Sequence, residues 1–264
     1  MTPALSATAS RRSRPSALAG SATALAAATV GAQILYPLVD GRARHVLTIT
    51  TVTLFFAASV THAAVRRGPR WAGALVLIAG GVGLAAEAVG VATGYPFGTY
   101  SYADSLGAQL FGVPLIVPMA WVMMAYPTLL VAQRLTRRWA PLVGAFALTS
   151  WDVFLDPQMT AEGHWAWAHP EPALPGVPGI PLTNYAGWLV VSFVVMALLG
   201  RLPRTGAPGD LDDRVPAVLF LWTYLGSVLG NIVFFGRPWV GVVGGVLMGL
   251  VAVPYAVRLW RARP

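Results

Sequence analysis

Apolar runs close to 20 residues long recur along the chain, and this recurrence limits the fold more than any other feature. Such a run has the length that a helix needs to cross the hydrocarbon core of a bilayer. Only 11% of the residues are charged, against about 25% in soluble domains. We therefore predict an all-α integral membrane protein with about eight transmembrane helices. The runs cover residues 17–38, 46–65, 71–93, 111–132, 139–156, 183–200, 215–235 and 239–257.

These spans leave little of the 264-residue chain for anything else. Eight spans occupy roughly 160 positions, so the loops are short and no sizeable domain is expected outside the membrane. We predict a cytoplasmic N-terminal tail over 1–16, a single multi-helix transmembrane domain over 17–260 and a C-terminal tail over 261–264.

The basic residues indicate how the spans are oriented. All 18 are arginines, and all but Arg42, Arg44 and Arg237 fall in loops on one side of the membrane. Short arginine-rich loops remain in the cytoplasm, so both termini are predicted to be cytoplasmic, in a multi-pass protein of the cell membrane. Because the net charge of +8 comes from these loop clusters, the expected partner is the lipid bilayer and not nucleic acid.

Several kinds of chemistry are excluded by missing side chains. The chain has no cysteine and no lysine, which rules out disulfides, thiolate ligands, cysteine nucleophiles and Schiff bases. None of the four histidines, His45, His62, His164 and His169, has a carboxylate at a familiar metal-ligand spacing. No glycine-rich phosphate loop follows a strand. We predict neither a metal site nor a cofactor.

Two segments without any basic residue, 94–110 and 157–182, are predicted to lie together on the outer side. We call them the first and second aromatic loops, because both are rich in aromatic residues, glycine and proline. A single Trp or Tyr at a membrane interface is commonly an anchor. Trp121 and Met124, in contrast, stand in mid-span of a helix that two prolines are expected to interrupt, and interrupted helices often border a cavity.

Three acidic residues fall within or at the end of predicted spans: Glu87, Asp152 and Asp156. A carboxylate in hydrocarbon is costly, so each needs a compensating role. Asp152 and Asp156 are four positions apart and therefore share one helix face. Their mutual repulsion, and the negative helix end expected at Pro157, both disfavour ionisation. One of the pair is therefore a candidate general acid.

Glu87 lies about two thirds of the way along the third span, so the three acids can meet in one pocket. An isolated acid of this kind is more often a capping or hydrogen-bonding residue. Three acids at one depth, beside aromatic loops and without an intramembrane arginine, favour a functional cluster instead.

A series of ordered motifs runs from about residue 80 to residue 190. It comprises Glu87, 93–102 (TGYPFGTYSY), 112–114 (GVP), 151–152 (WD), 156–159 (DPQM), 165–167 (WAW) and 180–188 (IPLTNYAGW). In this combination, which we take as a family-like core over about 80–190, the chain resembles the carotenoid biosynthesis family that includes the carotenoid hydratases.

The resemblance implies a cofactor-independent hydratase, a lyase that adds water to a terminal carbon–carbon double bond of an acyclic carotenoid end group to give a tertiary alcohol. Its substrate would be a lipophilic isoprenoid polyene, and association with other membrane enzymes of the carotenoid pathway is compatible with it. The residue types suit this chemistry, because protonating such an alkene needs a strong acid in a dry pocket. The resulting cation needs negative charge or aromatic faces nearby.

We therefore expect Asp152 or Asp156 to protonate the alkene. The other aspartate, or Glu87, would stabilise the cation and deprotonate the attacking water. The sequence leaves open which acid takes which role and which carotenoid reacts. The candidate substrate-binding residues are Tyr100, Tyr102, Trp121, Met124, Trp151, Trp165, Trp167, Asn184 and Trp188.

Other classes of protein remain open at this point. The spacing of Asp152 and Asp156 is also that of intramembrane prenyltransferases, which hold magnesium against a diphosphate, but the other acidic cluster, 210–213, is predicted on the opposite side. The aromatic loops also lack the basic partners that a diphosphate needs. A proton-coupled transporter would use intramembrane acids too, although no inverted repeat is visible. A non-catalytic protein of the carotenoid pathway is the third alternative.

Overall fold

The structure, a computed structural model, describes residues 17–203 and 212–262. The predicted tail 1–16, the last residues 263–264 and Asp210 lie outside the described residues. Within the described part, the chain forms a bundle of long helices. These are α1 (Ala17–Leu35), α2 (Gly41–Arg67), α3 (Pro69–Thr93), α4 (Ile116–Leu135), α5 (Ala140–Ala161), α6 (Leu182–Gly200), α7 (Arg214–Phe234) and α8 (Pro238–Arg261).

Among the described residues, all of these helices except α5 are long and apolar enough to cross a membrane. Helix α5 has a similar length but carries Asp152 and Asp156. It packs against α4, α6 and α8, and both aspartates are buried, so its acids are surrounded by protein and not by lipid. The prediction of an all-α, multi-span membrane protein is confirmed.

Helix α4 differs from the prediction in its first residues. Residues 109–114 form a small hairpin, β2 (Gln109–Leu110) with β3 (Val113–Pro114), and the helix begins at Ile116. Pro118 lies in the first turn, where a helix needs no N–H donor, so it does not break the helix. The expected interruption by Pro114 and Pro118 is therefore wrong, and Trp121 and Met124 stand in a helix that continues past them.

Helix α5 also runs further than predicted, through Pro157 to Ala161. Pro157 and Met159 are buried, and Arg237 Nη1 donates a hydrogen bond to the Pro157 carbonyl oxygen at 2.5 Å. Burial and this bond stabilise the last turn beyond the proline. Asp156 consequently lies more than one turn from the helix end, so the effect expected from a negative helix end at Pro157 does not apply.

Short strands join the two aromatic loops. Strand β1 (Tyr100–Tyr102) pairs antiparallel with β4 (Trp165–Trp167), with Tyr100 opposite Trp167 and Tyr102 opposite Trp165. We call the paired strands β1 and β4 the ribbon. Alternate side chains of a strand share one face, so the two tyrosines and two tryptophans project from the same side of the ribbon. A further hairpin, β5 (Ala173–Leu174) with β6 (Val177–Pro181), leads into α6.

Ion pairs of arginine with aspartate lie at the end of the bundle opposite the aromatic loops. Asp213 accepts from Arg67 at 3.0 Å and lies 3.7 Å from Arg134, while Arg66 lies 3.6 Å from Asp212. We call this the arginine end. It joins the last turns of α2 and α4 to the start of α7, which agrees with the predicted placement of these arginine-rich segments on one side.

Arg44 marks the other end of α2, where it pairs with Glu162 at 2.7 Å beside the second aromatic loop. Arg44 and Arg67 are 23 residues apart on one helix, which corresponds to roughly 35 Å at 1.5 Å per residue. The described acids of the 210–213 cluster, Asp212 and Asp213, are therefore about a membrane thickness from Glu162 and are already paired with arginines.

Candidate active site

Glu87 lies on α3 and is buried, and both of its carboxyl oxygens accept hydrogen bonds. Its Oε2 accepts from the hydroxyl groups of Tyr100 at 2.5 Å and Tyr102 at 2.8 Å, and its Oε1 accepts from Trp121 Nε1 at 3.3 Å. Burial, together with the adjoining Glu87 carboxylate, raises the pKa of Tyr100 and Tyr102 above the ordinary tyrosine value, so both hydroxyls keep the protons that they donate. Within the described part of the chain, three donors and no cation contact this carboxyl group, and hydrogen bonds from such donors stabilise an anion.

Two glycines on the same face of α3 make room for these donors. A Cβ atom at Gly83 would lie 2.5 Å from Trp121 Cγ, and one at Gly90 would lie 2.8 Å from the Tyr100 hydroxyl oxygen. Both distances are far below van der Waals contact. Gly83, Glu87 and Gly90 are spaced at i, i+4 and i+7, so the helix presents its acid between two surfaces that admit aromatic rings.

We expect Gly83→Ala to displace Trp121 and to lower stability by about 1–3 kcal/mol, the usual range for overpacking. Thermal unfolding in detergent, followed by tryptophan fluorescence, measures the effect. Gly81→Ala is the matched control, because nothing lies within 4 Å of a Cβ atom at that position of the same helix. Equal melting temperatures for the two variants would contradict the close packing of Trp121 on Gly83.

Asp152 and Asp156 lie side by side because one amide binds both. Asn184 Nδ2, from α6, donates to Asp152 Oδ2 at 2.9 Å and to Asp156 Oδ2 at 2.5 Å. Trp165 Nε1 donates to Asp156 Oδ1 at 3.1 Å. Asp152 Oδ1 is buried and has no hydrogen-bond partner among the described residues. Two adjoining carboxyl groups with few donors favour holding one proton between them.

Glu87 on α3 and Asp156 on α5 both line a cavity of about 50 Å³. Its wall contains most of the residues singled out from the sequence: Glu87, Asp156, Tyr100, Tyr102, Trp121, Trp165, Trp167, Asn184 and Trp188. Asp152 is fully buried behind Asp156, and Met124 and Trp151 lie in the core outside this wall. Asp152 and Asp156 therefore differ in position, since only Asp156 lines the cavity.

Stacked indole rings form one side of the cavity. Trp121 and Trp188 are parallel within 12°, with ring centroids 4.1 Å apart, and Trp151 contacts Trp188 edge-on at 6.1 Å. The Trp167 Nε1 atom donates to the Phe97 carbonyl oxygen at 2.9 Å, which ties the ribbon to the start of the first aromatic loop. The cavity wall is thus almost entirely aromatic and aliphatic apart from the two acids, Asn184, Thr48 and two tyrosine hydroxyls.

Sequence reasoning missed Tyr185 and the pair Ser105–His164. The Tyr185 hydroxyl is buried and has no hydrogen-bond partner among the described residues. Ser105 Oγ and His164 Nδ1 share a 2.8 Å hydrogen bond between the aromatic loops, and burial lowers the pKa of His164, which favours the neutral ring. Position 185 follows Asn184 inside the 180–188 motif, which was the available signal for the first of these residues.

Fold and site together define a multi-span helical membrane protein in which buried carboxyl groups border an aromatic cavity. Among residues 17–203 and 212–262, no three histidine, aspartate or glutamate side chains converge as a metal site requires. The family described as carotenoid biosynthesis protein matches residues 47–252. The chain belongs to this family and is a membrane protein of the carotenoid pathway.

One relative has a named activity. The chain is 34% identical over 192 residues to the bisanhydrobacterioruberin hydratase of Haloarcula japonica, an alignment that covers 67% of this chain and 59% of that protein. The match therefore spans less than two thirds of the relative's length. No solved structure gives a significant match to the chain.

Proposed function

We propose that this protein adds water to a terminal carbon–carbon double bond of an acyclic carotenoid end group, in the cell membrane and without a cofactor. The observation that carries the proposal is an aromatic cavity lined both by Glu87, with its three hydrogen-bond donors, and by Asp156 of the aspartate pair. The named activity of the Haloarcula relative supports the same reaction class.

Asp156 is the proposed proton donor, because it is the member of the aspartate pair that lines the cavity. Its proton adds to the inner, less substituted carbon of the alkene, the π electrons form the new C–H bond, and a tertiary cation remains at the terminal carbon. Asp152 acts from behind as a positioning residue. It shares the proton of the pair, and Asn184 holds the two carboxyl groups together.

Glu87 is the proposed cation-stabilising group. Its negative charge is fixed by three donors before any substrate binds, so no reorganisation is needed when positive charge develops. The faces of Trp121 and Trp188 add cation–π stabilisation. Water then forms the C–O bond and releases its proton to the Asp152–Asp156 pair, which gave up a proton in the first step. This leaves a tertiary alcohol and restores the acid for the next cycle.

The test is expression in cells that accumulate acyclic carotenoids, followed by mass spectrometry of the pigments. We expect products heavier by one water per modified end, and incorporation of ¹⁸O when the cells are grown in H₂¹⁸O. Pigments that never gain water, across a panel of acyclic end groups, would refute hydration and favour a non-catalytic role in the pathway.

The orientation in the membrane is a separate proposal, with both termini in the cytoplasm and the aromatic loops outside. The chain has no cysteine, so single cysteines report their side without background. We expect Asp104→Cys to react with a membrane-impermeant maleimide in intact cells, and Arg137→Cys to react only after lysis. The reverse pattern would overturn the orientation.

A further inference from the structure

A second cavity, of about 190 Å³, adjoins the cavity at the acids. Residues of helices α1, α2, α4, α5 and α7 line it. Thr48, Val52, Leu155 and Met159 line both cavities, so this group of four side chains is the shared wall between them. Trp151, one of the candidate substrate-binding residues, lines the second cavity, whereas Glu87, Asp152 and Asp156 do not.

Its lining contains polar groups that lack partners. Thr51 Oγ1, Gln158 Nε2 and Asn231 Oδ1 are buried and have no hydrogen-bond partner among the described residues. Asn231 is 1% exposed and lies in the π-helical turn of α7 (Gly230–Phe234), where its Nδ2 donates to the Ser227 carbonyl oxygen at 2.9 Å. A polar atom that is buried without a partner is costly, so these groups need a ligand that can both donate and accept.

The chemistry of this lining identifies the ligand. A polyene chain has neither donors nor acceptors and cannot satisfy an amide nitrogen, an amide oxygen and a hydroxyl group. Water can satisfy all three, and a cavity of about 190 Å³ has room for several waters, each of which occupies about 30 Å³ in the liquid. A hydration reaction inside an apolar site also needs a local source of its second substrate.

We propose that the second cavity holds the water that is added to the alkene and delivers it across the shared wall of Thr48, Val52, Leu155 and Met159. This inference rests on the proposed hydration. Thr48 is the polar member of the wall, and its hydroxyl group donates to the Arg44 carbonyl oxygen at 3.1 Å. Keeping the water apart from Asp156 leaves the acid dry until a cation has formed, which favours the protonated form that Asp156 needs as a proton donor.

X-ray hydroxyl-radical footprinting of the purified protein tests the water content directly, because radicals generated from bound water oxidise the side chains beside it. Met123 lines the second cavity and is 4% exposed, whereas Met196 and Met248 are fully buried and line neither cavity. We expect Met123 to be oxidised several times faster than both controls. Equal oxidation of the three methionines would overturn the proposal.

Variants of residues that line the second cavity test whether its water is the water added to the alkene. Asn231→Leu and Thr51→Val should slow both the oxidation of Met123 and hydration several-fold while leaving the amount of co-purified carotenoid unchanged. Thr128→Val is the matched control, because Thr128 is buried, lacks a described partner and lines neither cavity. Slower Met123 oxidation with unchanged hydration would refute delivery. If the wild-type protein hydrates nothing, the proposed function fails, and the footprinting still decides whether the cavity holds water.

Discussion

Replacing Asp156 with asparagine is expected to lower the rate of carotenoid hydration about 1,000-fold, within the range for loss of a general acid. The amide keeps the size of the side chain and can still contact Asn184 and Trp165, but it cannot supply a proton to the alkene. The measurement is the rate of product formation in membranes, by mass spectrometry, at matched protein levels.

Two comparisons separate this role from a general loss of structure. Asp152→Asn should have a smaller effect, of about 10–100-fold, because Asp152 lies behind Asp156 and acts through it. Glu171→Gln, at an exposed residue of the second aromatic loop, should leave the rate unchanged. An Asp156→Asn variant as active as Glu171→Gln would eliminate Asp156 as the proton donor.

Replacing Glu87 with glutamine is expected to lower the rate about 100–1,000-fold, as is typical when preorganised electrostatic stabilisation is removed. The change removes the negative charge that faces the developing cation. It also places an amide NH₂ group opposite the donors from Tyr100, Tyr102 and Trp121, so that at least one of these hydrogen bonds is lost.

Tyr102→Phe serves as the comparison for Glu87→Gln, since it removes one donor but keeps the charge. We expect a loss of about 10–100-fold, which corresponds to the loss of one hydrogen bond to a charged group, at about 1.5–3 kcal/mol. Co-purified carotenoid should stay within twofold of the wild-type amount in both variants. If Tyr102→Phe were as inactive as Glu87→Gln, the geometry of the site and not the Glu87 charge would be the essential feature.

Hydrophobic patterning is enough to predict the helices, because each run must match the thickness of the bilayer core. The arginine pattern anticipated that the ends of α2 and α4 and the start of α7 lie together, since short loops of this composition share one side. Pro118 and Pro157 were misjudged for one reason. The effect of a proline depends on its position in the helix and on tertiary partners such as Arg237, and local sequence shows neither.

The convergence of Glu87 with the aspartates was predictable in outline, because all three acids fall at one depth. That Asp156 lines the cavity and Asp152 does not could not be predicted from the sequence. Whether Asp152 or Asp156 lines a cavity depends on how α5 is rotated against α6, and both residues lie on the same face of their own helix. Asn184 of α6 binds both carboxyl groups, whereas Trp165 of the second aromatic loop binds Asp156 alone.

The two strands of the ribbon do show a pattern in the sequence that is typical of strands. Tyr100-Ser101-Tyr102 and Trp165-Ala166-Trp167 both alternate a large aromatic residue with a small one, the period of two that a strand with one buried face requires. Each stretch is only three residues long, and the strands belong to different loops. Their pairing could therefore be established only from the tertiary structure.

The pairing of β1 with β4 also has a consequence for biogenesis. The two strands are separated by the whole of α4 and α5, so β1 leaves the ribosome well before its partner exists. On the predicted topology, each strand must be translocated separately before the two can meet. The carboxyl groups on α3 and α5 are thus enclosed only late in membrane insertion. A nascent chain arrested after α5 would be inserted, but its cavity at the acids would not be closed.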